Sequence, residues 1–204
     1  MTERIARRRP STEERRKDLV QIAYRLIAEK GLEGLRTRQV AEAAGIDTGT
    51  LHYHFPSKQA LIQAVVDHLA EDFRANRAAR ATSPANAVEE LRNEIFDVVA
   101  RVRDSPEQFI VTQELTVRAS RDRAVAKILA RSLEGWTDSL TAFLKRGIEQ
   151  GLFRADIQPE AAALVLRAQV EGVALFGMAA PERVEAVATA LFTQIKAWLS
   201  KPHL

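Results

Sequence analysis

Residues 45–58 read GIDTGTLHYHFPSK. Thr48, Thr50, Tyr53 and His54 crowd hydroxyl, phenol and imidazole groups into two helical turns, and Lys58 adds an ammonium just beyond them. Side chains of these types donate to phosphate oxygens and to base edges, and a threonine methyl can meet the methyl of thymine. They suit a core poorly, because each buried polar atom there needs its own partner. A polyanion outside the chain suits them better. Charge is distributed in the same sense: residues 1–60 hold 12 Lys/Arg against 8 Asp/Glu, and the remainder holds 18 against 19. All the excess positive charge therefore lies in the first 60 residues, as expected of a segment that meets nucleic acid.

Other chemistries find little support. The chain has no cysteine, which excludes disulfides, thiolate metal sites and thiol nucleophiles. His52 and His54 stand two residues apart and do not share a helix face, and His68 falls on an apolar stripe, so no metal site is expected. No phosphate loop, dinucleotide fingerprint or nucleophile elbow occurs, so neither a cofactor nor enzyme activity is expected. No apolar run approaches the roughly 20 residues of a membrane span. The N-terminus, MTERIARRRP, lacks the apolar stretch of a secretory signal. A cytoplasmic protein without a membrane partner is the expectation.

The pattern around the polar stretch is helical. Leu19, Ile22, Ala23, Leu26 and Ile27 share one face of a helix that Gly31 stops. A short helix capped by Thr37 carries Val40, Ala41 and Ala44 and ends at Gly45. Asp47 caps a third that ends near Phe55, and Ser57 a fourth with Leu61, Ala64, Val65, Leu69 and Phe73 inward, running to about Arg80. Longer helices follow, opened by Ser83-Pro84, Ser105-Pro106, Ser120, Pro159 and Pro181. With no β alternation of useful length, the chain reads as all-α. Two short helices about a glycine turn form a helix-turn-helix. Ile46 and Leu51 anchor its second helix, which leaves Thr48, Gly49, Thr50, Tyr53 and His54 outward, on an element that fits the major groove. Lys58 and the start of its helix make a phosphate anchor.

Residues 35–62, LRTRQVAEAAGIDTGTLHYHFPSKQALI, closely resemble the DNA-binding segment of TetR-like transcriptional regulators. Thr37, Val40, Ala41, Ala44, Gly45, Ile46, Gly49, Thr50, Leu51, His54, Phe55 and Lys58 match the family pattern at fixed spacing. Two positions depart from it: His52 stands where Tyr is usual, and Asp47 where Ser or Thr is commoner. The resemblance implies that Thr37 touches phosphate and that Arg38 reaches a guanine. It implies that Thr48, Gly49, Thr50 and Tyr53 read base edges or methyl groups, while His52, His54 and Lys58 hold the backbone. Residues 1–10 are expected as a disordered basic arm, with Arg7, Arg8 and Arg9 free to lie along phosphates, to enter a minor groove, or simply to aid solubility. Residues 11–56 would be the three-helix DNA-binding domain and 57–204 a larger helical domain for effector binding and dimerisation.

The function this implies is a ligand-responsive transcriptional regulator. It would be a repressor that binds a palindromic operator as a homodimer and is released by a small molecule. The helix from Pro159 is apolar around most of its circumference and needs burial on more than one side. The family layout makes the last two helices of each subunit the dimer interface. A twofold dimer also makes physical sense, since one short helix reads few bases. Phe109, Gln113, Glu114, Trp136, Phe143, Gln169 and Phe176 are the candidates for an effector site, because large or polar groups beside apolar stripes often face a cavity. The ligand expected is largely apolar with one or two polar groups. The rival reading is a helical binding or adaptor protein without sequence-specific DNA binding.

Overall fold

The structure, a computed structural model, describes residues 11–80 and 86–200. The basic arm at residues 1–10 and the expected Ser83-Pro84 cap lie outside the described residues. Every long element among those described is a helix: α1 (Thr12–Lys30), α2 (Thr37–Ala43), α3 (Thr48–His54), α4 (Lys58–Arg80), α5 (Ala87–Asp104), α6 (Pro106–Ala119), α7 (Arg123–Glu149), α8 (Pro159–Ala179) and α9 (Val184–Leu199). They fall into two compact units, one ending at His68 and the other starting at Leu69.

Local chemistry sets most boundaries in the first unit. Ser11 and Glu14 form a reciprocal capping box at the start of α1. Gly31 ends α1 at φ 69° and Gly45 makes the turn after α2 at φ 64°, both in the region that favours glycine. Leu19, Ala23, Ile27, Val40 and Leu51 are buried beneath these helices. The unit runs past residue 56 because the first turns of α4 belong to it: Leu61, Ile62, Val65 and Val66 are buried, and His68 meets α1. There the His68 ring lies edge-on to Tyr24, with centroids 5.8 Å apart, and its Nε2 is 2.6 Å from the Gln21 amide nitrogen.

Some caps differ from expectation. Thr37 is the first helical residue of α2, preceded by extended Arg36, and makes no cap bond. Asn86 caps α5 by accepting from the N–H groups of Val88 and Glu89. Ser120 ends α6 instead of opening α7, and Asp122 caps α7 by accepting from Ala124 and Val125. A carboxylate two residues nearer the helix satisfies two N–H groups at once, which outcompetes a serine hydroxyl. Pro181 opens a single 3₁₀ turn, Pro181–Arg183, before α9.

In the second unit, Leu91, Ile95, Val98 and Val102 of α5 pack with Leu140, Phe143 and Leu144 of α7, with the inward face of α8, and with Val184, Ala188, Leu191 and Ile195 of α9. Trp198 is turned out, and Leu199 takes the buried place at the end of α9. By length and composition α8 could cross a membrane, which the sequence pattern did not suggest. Arg167 and Glu171 interrupt its apolar run, and they pair at 3.0 Å with Arg167 also donating to Thr137 of α7.

Candidate functional site

The polar stretch becomes α3, and its two faces differ sharply. Leu51 is fully buried, whereas Thr48, Gly49, His52 and Tyr53 are exposed, Tyr53 at 77%. Thr50 and His54 are half-buried. Asp47 holds the first turn together: one carboxylate oxygen accepts from the Thr50 N–H at 2.8 Å and the other from the Thr50 hydroxyl at 2.7 Å. These bonds, the hydroxyl first and then the N–H, hold the Asp47 carboxyl below the usual carboxylate range. Thr50 thus has its hydroxyl proton committed within the protein and offers a lone pair and a methyl outward. Gly49 has a local reason to be glycine, because a Cβ there would sit 2.9 Å from the Asp47 carboxylate. The Tyr53 and His54 rings meet edge to face, 5.3 Å apart.

The neighbouring candidates lie on α2 and at the start of α4. Arg38 is exposed and donates through Nε to Glu42 at 2.9 Å. Thr37 is half-buried at the start of α2. Lys58 is half-buried and reaches the Leu32 carbonyl at 3.4 Å, while Ser57 caps α4 by accepting from Ala60.

Arg16 is a contributor that sequence reasoning missed. Its Nη1 donates to the His54 carbonyl at 2.7 Å, and its guanidinium lies 4.3 Å from the centre of the Phe55 ring. This ties α1 to the last turn of α3. No local signal could reveal it, since 38 residues separate the partners. Arg16→Ala is expected to cost about 1 kcal/mol of stability in urea denaturation, the usual worth of an exposed cation–π contact. Arg16→Lys should recover less than half of that, because an ammonium lacks the flat face that stacks on the ring.

The effector candidates do not form one group. Phe109 is buried against Phe73, and the Arg101 guanidinium lies 4.9 Å from the Phe73 ring centre and 5.9 Å from that of Phe109. Trp136 donates through its indole N–H to Glu94 at 2.6 Å. Gln113 and Glu114 are half-buried on α6. Gln169 is half-buried, and its amide oxygen makes no hydrogen bond. Phe143 is core, edge-on to Phe153, and Phe176 is exposed on the outward side of α8.

The pattern of bacterial regulatory proteins of the tetR family matches residues 19–65. That of the BetI-type transcriptional repressor C-terminal region matches residues 87–199, more than half of the chain. The chain belongs to the TetR family. It is an all-helical DNA-binding transcriptional regulator, with an N-terminal helix-turn-helix and a larger helical C-terminal region. Among TetR-family relatives, the HTH-type transcriptional repressor KstR2 of Mycobacterium tuberculosis is 27% identical over 146 residues, covering 70% of this chain and 71% of its own. A TetR-family regulator from Rhodococcus sp. superposes with a TM-score of 0.82 at 24% identity, covering 92% and 100% of the two chains. GusR of Salmonella enterica gives 0.79 at 26% identity, covering 91% and 95%.

Two charged residues of this TetR-family chain were legible but overlooked. Glu94 and Arg101 are buried on α5, 9% and 6% exposed. Both fall within the Leu91-Ile95-Val98-Val102 stripe at helical spacing, and a charge inside an apolar stripe is itself a signal.

Proposed function

We propose that this regulator represses transcription by binding a palindromic operator as a homodimer, and that a small, largely apolar effector releases it. The observation that carries the reading is the two-faced α3, with Leu51 buried and Thr48, Gly49, His52 and Tyr53 turned to solvent. In this reading Arg38 and the first turn of α3 meet base edges in the major groove. Thr37, His52, His54 and Lys58 hold phosphates, and Thr50 contributes its methyl and lone pair. The first unit binds DNA, and the second binds the effector and dimerises. All of this takes place in the cytoplasm.

Dimerisation is supported by the outward side of α8. Leu164, Val165, Leu175 and Phe176 are all exposed there, with Ala168 and Gly172 between them and Trp198 of α9 also exposed. Apolar groups at this spacing form one continuous stripe, which a second copy would cover. The small residues at its centre let two helices approach closely. Effector binding is supported by Glu94 with Trp136 and by Arg101 with Phe73 and Phe109, which offer a polar group at each end of an aromatic-lined stretch of α5. An effector that alters the separation of the two recognition helices would unseat them from grooves about 34 Å apart.

The test uses fragmented genomic DNA from the source organism. The full-length protein should enrich fragments sharing an inverted repeat. Tyr53→Ala combined with Lys58→Ala should bind them about a hundredfold more weakly, while melting and sedimenting as the parent does. Enrichment of no shared sequence would favour a helical adaptor and overturn the reading.

A further inference from the structure

A guanidinium has two edges that can grip a base with a pair of N–H groups. One is the end formed by Nη1 and Nη2, and the other is the side formed by Nε and Nη2. In Arg38 the side edge is taken. Nε donates to Oε1 of Glu42 at 2.9 Å, from a side chain that is itself 84% exposed. Glu42 stands four residues on, so both lie on one face of α2, and the carboxylate is 61% exposed beside the guanidinium it holds. Such a pair contributes little to folding at this exposure. A carboxylate on the face turned to a polyanion also weakens the attraction of that face for phosphate. Neither stability nor general DNA affinity accounts for it.

We propose that Glu42 is a specificity-determining residue that positions Arg38 for end-on recognition of a guanine. By occupying Nε it removes the side-on mode and leaves Nη1 and Nη2 to meet O6 and N7 together. By its charge it opposes the swing of Arg38 onto a neighbouring phosphate, which would tighten binding to any sequence alike. The pair therefore exchanges some affinity for discrimination. The inference rests on the reading of Arg38 as a base contact and adds the residue that aims it.

The test is a selection from a random duplex library with the full-length protein. Kd values are then measured for the selected site and for the same site with adenine in place of the guanine whose preference Arg38→Ala abolishes. Glu42→Ala is expected to lower the guanine-over-adenine ratio by about three- to tenfold, while raising affinity for unrelated DNA about twofold. Glu42→Gln, whose amide oxygen still accepts from Nε, should keep most of the ratio. In the Arg38→Ala background, Glu42→Ala should change the ratio no further. The proposal is overturned if Glu42→Ala leaves the ratio intact, or lowers it equally with and without Arg38. It is also overturned if Arg38→Ala alters no base preference. A parent protein that selects no sequence at all would be a separate failure, that of the DNA-binding reading itself. Both residues are exposed on α2, so the variants should melt as the parent does.

Discussion

Leu164→Glu together with Leu175→Glu is expected to yield a folded monomer that binds operator DNA at least about a hundredfold more weakly than the parent. Both positions are more than half exposed, at 56% and 54%, so neither change disturbs the core of its own chain. In a dimer built on this stripe, each glutamate would be buried in an apolar seam. Two copies would place four such charges there. A carboxylate forced into that setting costs several kcal/mol, more than a modest interface supplies. Loss of the partner then removes the second half-site, and with it the gain from tethering two reading helices together. Sedimentation velocity reads the first effect and fluorescence anisotropy the second. A variant that remained dimeric would place the interface elsewhere.

Gly147→Ala is expected to destabilise the protein by about 3 kcal/mol, near the upper end for overpacking a core. A Cβ at this buried position on α7 would lie 2.1 Å from the Phe153 ring. That ring cannot easily yield. Phe153 is 1% exposed, stands edge-on to Phe143, and donates its backbone N–H to the Gly147 carbonyl. The chain doubles back here through Gly151, at φ 71°, and folds the ring over the helix it has just left. At two to four degrees per kcal/mol for a chain of this size, the melting temperature should fall by about 6–12 °C. Gly135→Ala supplies the contrast on the same helix. Nothing lies within 4 Å of its Cβ direction, so better helix propensity should stabilise the protein by about 0.5–1 kcal/mol. Equal losses from both would mean that Phe153 does not press on Gly147.

The helical architecture was legible because α1, α4 and α7 carry apolar stripes at helical spacing, as does α5 around its two buried charges. The helix-turn-helix was legible for a different reason. Gly45, Ile46 and Leu51 fix a turn and an anchor within a few residues, so local chemistry suffices. Where two local signals competed, sequence alone could not choose between them. Ser120 and Asp122 can both cap a helix, and the carboxylate that reaches two N–H groups prevails. Trp198 and Leu199 can both end the stripe of α9, and only the packing around Leu199 decides.

Contacts far apart in sequence left no trace to read. Arg16 with His54 and Phe55, Trp136 with Glu94, and Gln21 with His68 each join different helices. Side-chain roles within the reading face were legible by type and not by state. Thr50 was expected to donate or to meet a thymine methyl, and Asp47 holds its hydroxyl proton, which leaves the methyl. Phe143 and Phe176 were grouped with the effector candidates as large aromatics on apolar helices. One proves to be core and the other lies outward, a distinction set by which way each helix is rolled.

Chemical interference on the selected operator tests the account most directly. Methylating guanine N7 marks the major groove, and methylating adenine N3 marks the minor groove. With the wild-type protein, guanine N7 methylation should block binding at two positions related by a dyad and separated by about one helical turn or a multiple of it. Adenine N3 methylation between them should not. Interference confined to adenine N3, or to a single position without a symmetric mate, would contradict a pair of α3 helices reading adjacent major grooves.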